Sequence, residues 1–326
     1  MKMMKITALA ALVIMAACGN STKKIVDDGK QAVVTASFDA DSSYAFCQKQ
    51  CSFGPRTMNS DAHDDCGKWI VEKFQSYGLQ VTEQRAILKG FDGTPLNSNN
   101  IIARYQPQLA ERIMLCAHWD SRPWADNDPD EANHTKPVMA ANDGASGVAV
   151  MLEVARVLTT DTCQLPIGID FVCFDAEDWG SDNVSDSWAL GAQHWAQSFT
   201  LHPSPFTYRY GILLDMVGGQ GARFYQEGFS KYYANHVVKR VWAAAATAGY
   251  SSFFPQEDGG TITDDHGPVN EVAGIPCIDI IPYYPNCEAS SFGPTWHTVN
   301  DDMQHIDPAT LKAVGQTLLQ VIYTEK

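Results

Sequence analysis

The apolar run from Ile167 to Phe174 stops abruptly at Asp175-Ala176-Glu177-Asp178, and this junction constrains the fold more than any other feature of the chain. A short run without polar alternation reads as a strand buried on both faces, which a parallel sheet covered by helices provides. The flanking segments agree. Gly144 to Leu158 puts Val148, Met151, Leu152, Ala155 and Leu158 on one helical face. Residues 59–77, 187–199, 230–248 and 308–323 also have helical spacing, and Gly78 ends the first of them. Strands are expected at 79–88, 100–105, 112–117, 210–217 and 277–281, with Gln106-Pro107 as a turn. Strands alternating with helices make an α/β fold: one domain with a twisted, mostly parallel central sheet flanked by helices on both faces.

Four more acidic or histidine clusters sit where apolar runs end: His118-Trp119-Asp120, Asn142-Asp143-Gly144, Asp215 and Trp296-His297-Thr298. In an α/β sheet, the strand ends along one edge are where ligands and catalysis gather. Histidine with carboxylates is a zinc-type donor set, and a neighbouring carboxylate can move protons. Taken singly, each residue has an ordinary reading: Asp143 as a helix cap, Asp178 as a solvated loop acid, His297 as a satisfied loop histidine. Their recurrence at successive strand ends points instead to a zinc enzyme.

Lys2 and Lys5 precede the short apolar run Ile6–Met15, which ends in Ala16-Ala17-Cys18. A basic start, a short apolar stretch and small residues make a secretory leader, too short to span a bilayer. Met15-Ala16-Ala17-Cys18 is similar to a bacterial lipobox, whose Cys is acylated and becomes the mature N-terminus. Plain secretion with cleavage after Ala17 is the alternative. The expected organisation is a leader at 1–17, a lipid-anchored tether at 18–30 and the α/β domain at 31–326. The protein is accordingly expected on the periplasmic side of a bacterial cell envelope, with the membrane as a partner through its anchor. The chain carries a net charge of −15, and loss of a leader with two lysines and no acids makes it more negative. That disfavours nucleic acid and anionic membrane surfaces as partners and leaves cationic peptides acceptable. Of nine cysteines, Cys116, Cys173 and Cys277 lie in strand-like runs as small buried hydrophobes. Cys47, Cys51 and Cys66 are the first candidates for a disulfide in an exported protein, with pairing left open.

Six ordered pieces carry a family resemblance: Ala117-His118-Trp119-Asp120-Ser121, Ala141-Asn142-Asp143-Gly144-Ala145-Ser146, Phe174-Asp175-Ala176-Glu177-Asp178, Leu214-Asp215-Met216, Asp264-Asp265-His266-Gly267-Pro268 and Trp296-His297-Thr298-Val299-Asn300-Asp301. From about Cys47 to Tyr323 the chain resembles the glutaminyl cyclase branch of the zinc aminopeptidase superfamily. The resemblance implies one zinc per chain on Asp143, Asp178 and His297. Glu177 falls on the general acid/base position. Asp215 and Asp264 fall on two carboxylates that share hydrogen bonds near it. His118 and Asp215 also match the second-metal ligands of the aminopeptidases, so the donor residues leave one and two zincs both open. The doublet Asp264-Asp265 and the placement of Trp296 before His297 favour the cyclase, in which that Trp lines the pocket for the N-terminal Gln side chain. Trp119, Trp124 and Trp179 are expected to add walls.

The implied activity is conversion of the N-terminal Gln of peptides or proteins to pyroglutamate with release of ammonia. The alternatives are a two-zinc aminopeptidase, in which Glu177 activates a metal-bound water, and a non-catalytic binding lipoprotein on the same scaffold.

Overall fold

A computed structural model describes residues 32–326. Cys18, the leader and the tether lie outside the described residues. The apolar run forms β4 (Gly168–Phe174), buried at every position. It lies parallel to β3 (Glu111–His118), which pairs on its other side in parallel with β5 (Thr207–Leu214). β6 (Cys277–Ile280) extends the parallel set beyond β5. On the far side of β4, β2 (Pro95–Tyr105) is antiparallel, and β1 (Gln80–Lys89) completes a hairpin with it. The strand order is β1-β2-β4-β3-β5-β6, a mostly parallel sheet as expected. Edge strand β1 is never fully buried, and its alternating polar character suits that position.

Helices cover both faces. Ile113, Leu115 and Ala117 of β3 belong to the larger core, with α1 (Ala40–Cys51), α2 (Asp61–Ser76), α3 (Ala145–Thr160), α5 (Gly228–Ala248) and α7 (Pro308–Tyr323). Met114 and Cys116 belong to the smaller core under α4 (Leu190–Leu201) and α6 (His266–Glu271). This alternation is the period-two geometry of a strand with apolar cover on both sides. α3 approaches the sheet so closely that a Cβ at Gly147 would lie 2.2 Å from the Leu214 carbonyl oxygen. Asp170 is the one charge inside the β4 run. Arg112 Nε donates to it at 2.7 Å, Tyr208 Oη donates at 2.5 Å, and the rest of the guanidinium bonds main-chain carbonyls of Tyr105, Gln106, Leu109 and Ile169.

The helix at 308–323 lies where its spacing places it. The segment expected as a helix from 187 begins only at Leu190, because Ala189 adopts a left-handed conformation (φ 57°). α1 and α6 are additions to the expected elements. The disulfide expectation is corrected: the described cysteines, Cys47, Cys51 and Cys66 among them, are free thiols.

Candidate metal centre

The parallel strands β3, β4 and β5 run in one direction, so their carboxyl ends share an edge. His118 closes β3, Asp175 follows β4 and Asp215 follows β5. The loop after β6 brings in His297, and the turn before α3 brings in Asp143. Several of these side chains are aimed by uncommon backbone: Ala176, Met216 and His297 all have φ near +50°, a strained geometry characteristic of functional sites. Gly144 (φ 101°) caps α3, and a Cβ there would meet the Asp120 carbonyl oxygen at 2.5 Å.

Two triads of donor atoms share Asp143. One holds Asp143, Asp178 and His297, the other His118, Asp143 and Asp215. Within each, the candidate ligand atoms lie within 4.8 Å of one another. His297 Nε2 is 3.3 Å from Asp178 Oδ1 and 3.7 Å from Asp143 Oδ2. His118 Nε2 lies 3.0 Å from Asp143 Oδ1 and 3.2 Å from Asp215 Oδ1. Asp178 Oδ2 is buried with no hydrogen-bond partner, whereas His118 Nδ1 faces Asp120 Oδ1 at 3.5 Å and turns Nε2 toward Asp143 and Asp215. Buried polar atoms are normally satisfied, so this orphan oxygen, in a set of imidazoles and carboxylates, fits a zinc-type cation.

The electrostatics are those of crowded acids. Burial is the main cause that raises Glu177 well above the usual carboxylate range; charges on Asp178, Asp264 and Asp265 add to it, against His118. Burial also raises Asp215, to about 7, with the charge of Asp264 acting in the same direction. Burial opposes charge on His297, but Asp178 and Asp126 outweigh it and bring its pKa to about 9. A bound divalent cation would reverse much of this by favouring ionised carboxylates and neutral imidazoles.

Two of the turns that carry candidate ligands are each gripped by a further buried carboxylate. Asp120 accepts from the backbone N–H groups of Glu177 and Asp178, both at 3.1 Å. Asp301 accepts from those of Asn142 and Asp143, at 2.8 and 3.0 Å. Arg122 donates to the Asp178 carbonyl at 3.1 Å and forks onto Asp126, whose Oδ1 faces His297 Nδ1 at 3.5 Å. Such outer partners orient ligands and tune a metal. Asp120 and Asp301 stand inside the family-like motifs, yet sequence reasoning gave them no role. Arg122 and Asp126 carry no sequence signal that singles them out.

The aromatic residues divide. Trp296 stacks on His297 with ring centroids 3.8 Å apart, and Trp188, which sequence reasoning missed, lies nearly parallel to the same imidazole at 6.0 Å. Trp124 and Trp179 form an edge-on pair at 5.0 Å. Trp119 does not wall the site. It is buried beneath it, stacked on His63 at 4.1 Å, and His63 bonds Asp175 at 2.8 Å. Asp175 thus serves as a prop and not as a ligand. Asp264 groups with His266 and Asp279, their donor atoms within 4.8 Å of one another, while Asp215 bonds His118.

The same architecture recurs in known proteins. A model of peptidase family M28 matches residues 100–322. A glutaminyl cyclase of Bacteroides thetaiotaomicron, solved with N-acetylhistamine, superposes with a TM-score of 0.85 at 48% identity, covering 89% of this chain and 99% of that one. Tannerella forsythia glutaminyl cyclase gives 0.84 at 46%, covering 89% and 100%. A leucine aminopeptidase precursor of Bacteroides thetaiotaomicron gives 0.85 at 48%, covering 90% and 100%. The chain spans 49% to 60% of the length of three curated relatives that it matches. With the match extending over most of the chain and over every strand-end cluster, the chain belongs to peptidase family M28, as a relative of its bacterial glutaminyl cyclases.

Proposed function

We propose that this chain is a zinc-dependent glutaminyl-peptide cyclotransferase that converts the N-terminal Gln of peptides or proteins to pyroglutamate and releases ammonia. The observation that carries this reading is the pair of indoles, Trp296 and Trp188, lying parallel to the ring of ligand His297. Aromatic faces beside the candidate metal would pack against a flat amide and help to exclude water. Attack by the substrate's own amine tolerates a dry site, whereas hydrolysis needs a water there.

Zinc held by Asp143, Asp178 and His297 would supply Lewis acidity at the γ-carbonyl of the substrate. Glu177 moves the proton. Buried and next to ligand Asp178 in the chain, it is placed to take a proton from the α-amine and then return it. The amine nitrogen bonds to the side-chain carbonyl carbon, the carbon–nitrogen bond of the amide breaks, and the proton leaves with the amide nitrogen as ammonia. The nucleophile is tethered to the carbonyl it attacks, so no second reactant has to be positioned. Asp264 raises both Glu177 and Asp215 through space, secondary to burial, and so helps keep a proton within the acid cluster.

One observation favours a second reading. Asp143 is shared by both triads, as a bridging carboxylate would be in a two-zinc aminopeptidase. Product analysis on a Gln-initiated peptide, with zinc counted per chain, separates the two. Pyroglutamyl peptide and ammonia with one zinc support the cyclase. Free Gln and a shortened peptide, with a second tight zinc that depends on His118 and Asp215, would establish the peptidase.

A further inference from the structure

Residues 220–225 and the loop that follows β6 line an open recess of about 440 Å³. Arg223, Tyr225, Tyr283 and Tyr284 line it, and none has a part in the chemistry above. Two physical links tie it to the site. Gly219 sits between the Asn142 side chain and the Tyr284 hydroxyl, so close that a Cβ would lie 2.9 Å from Asn142 Nδ2 and 3.5 Å from Tyr284 Oη. Asn142 immediately precedes ligand Asp143. On the other side, Pro294 lines the recess two residues before Trp296. The recess is thus joined to the candidate metal centre through Gly219 and Asn142 on one side and through the short stretch from Pro294 to Trp296 on the other.

The recess is also built to recognise charge. Arg223 is exposed, and its guanidinium lies 5.5 Å from the ring centroid of Tyr225. Tyr225 meets Tyr283 edge-on at 5.5 Å. The walls are tied together: Tyr283 N–H donates to the Arg223 carbonyl at 3.0 Å, Tyr284 N–H to the Ser291 carbonyl at 2.8 Å, and Tyr284 Oη to the Gln220 carbonyl at 3.3 Å. Every other exposed or partly exposed arginine among the described residues has a carboxylate within 4.0 Å; Arg223 has none. On a chain of net charge −15, an arginine without an acidic partner in an aromatic cradle is a local exception to the field that a substrate meets. A stacked guanidinium holds its fork in place for a carboxylate.

We propose that this recess is a subsite for a carboxylate carried by the peptide downstream of its N-terminal residue, with Arg223 as the ion partner. The proposal rests on the reading that the site processes peptide N-termini. The carboxylate could come from an acidic side chain or from the C-terminus of a short peptide, and the test separates these sources.

The experiment measures kcat/KM for four short Gln-initiated peptides: with Glu or Gln at a downstream position, each with a free or an amidated C-terminus. Consumption of peptide is the readout, whether by cyclisation or by cleavage, so an error in the cyclase reading shows in the product and an error in the subsite shows in the ratios. Arg223→Gln is expected to lower kcat/KM for carboxylate-bearing peptides about tenfold, mainly through KM, and to change the neutral amidated peptide by less than about twofold. Arg223→Lys should recover part of the loss, and added salt should narrow the wild-type preference. Loss confined to the Glu peptides assigns an acidic side chain; loss confined to the free C-termini assigns the terminal carboxylate. Equal loss on all four peptides, or none on any, overturns the proposal.

Discussion

The two edges of the parallel sheet bury charge in opposite ways. At the amino-terminal edge, Arg112 and Asp170 are both fully buried, and every donor of the guanidinium reaches an oxygen. At the carboxyl-terminal edge, Asp178 Oδ2 and Asp264 Oδ2 are equally buried and have no hydrogen-bond partner. Both edges carry the same residue chemistry on neighbouring strands. A satisfied buried pair holds a structure together; an unsatisfied one costs free energy that only a ligand or a shared proton offsets. Burial of charge is therefore not by itself the mark of a functional site here; buried carboxylate oxygens left without a donor and crowded by other acids are what distinguish the carboxyl-terminal edge.

The contrast can be broken most directly at Glu177 and Asp178, adjacent acids given different work. Glu177→Gln should lower turnover by about a hundredfold to ten-thousandfold and leave zinc content unchanged. Asp178→Ala should lose the zinc itself, read by metal analysis. If both variants lose zinc equally, the division of roles is wrong.

A smaller effect is expected one layer out. Asp301 grips the turn that carries Asp143, and outer partners of this kind are worth about tenfold to a hundredfold in metal affinity or activity. Asp301→Asn leaves an amide donor facing two backbone N–H groups, so zinc should bind more weakly in a competition with a chelator. Unchanged zinc affinity would show that the turn holds its shape without Asp301.

The smallest effect on turnover belongs to the opposite edge. Arg112→Leu leaves Asp170 with only Tyr208 and Arg104 and removes the donors of the Tyr105, Gln106, Leu109 and Ile169 carbonyls; it should cost about 3–5 kcal/mol of stability, measured by denaturant unfolding, with turnover per folded molecule unchanged. Replacing Arg112 and Asp170 together by apolar residues should recover only the part of that loss due to the unpaired charge, because the four carbonyls stay without their donor. A double variant as stable as the wild type would mean that those carbonyl bonds contribute nothing.

Legibility in the sequence depended on whether an element buries its own apolar residues in a regular pattern. β4 and α7 were readable because they do. α1 was not, because Ser43, Cys47 and Gln50 are its buried residues and give no apolar stripe. α6 is only six residues long, too short for a periodic signal. Trp119 illustrates a signal that was present and unused. Its backbone N–H still bonds the Phe174 carbonyl at 3.0 Å, so the β3 alternation continues past His118 and turns Trp119 into the core that holds Ala117. The described cysteines are free thiols although the sequence would allow a bond, since a disulfide needs a specific Cα separation and direction that residue spacing alone does not set.

By itself, the sequence determined which chemistries would stand at the strand ends, because every apolar run must stop and the residues just beyond its end are written in the chain. It also determined that imidazoles and carboxylates would meet, since parallel strands end on one side. Only the tertiary structure decided which acids converge as candidate metal donors and which face the backbone. Asp143 and Asp301, or Asp178 and Asp120, are the same side chain in similar motifs. One of each pair points at other acids and at imidazole nitrogen, the other at two N–H groups. A carboxylate's role is set by what lies within about 3 Å of its oxygens, and that is a property of the fold and not of the residue.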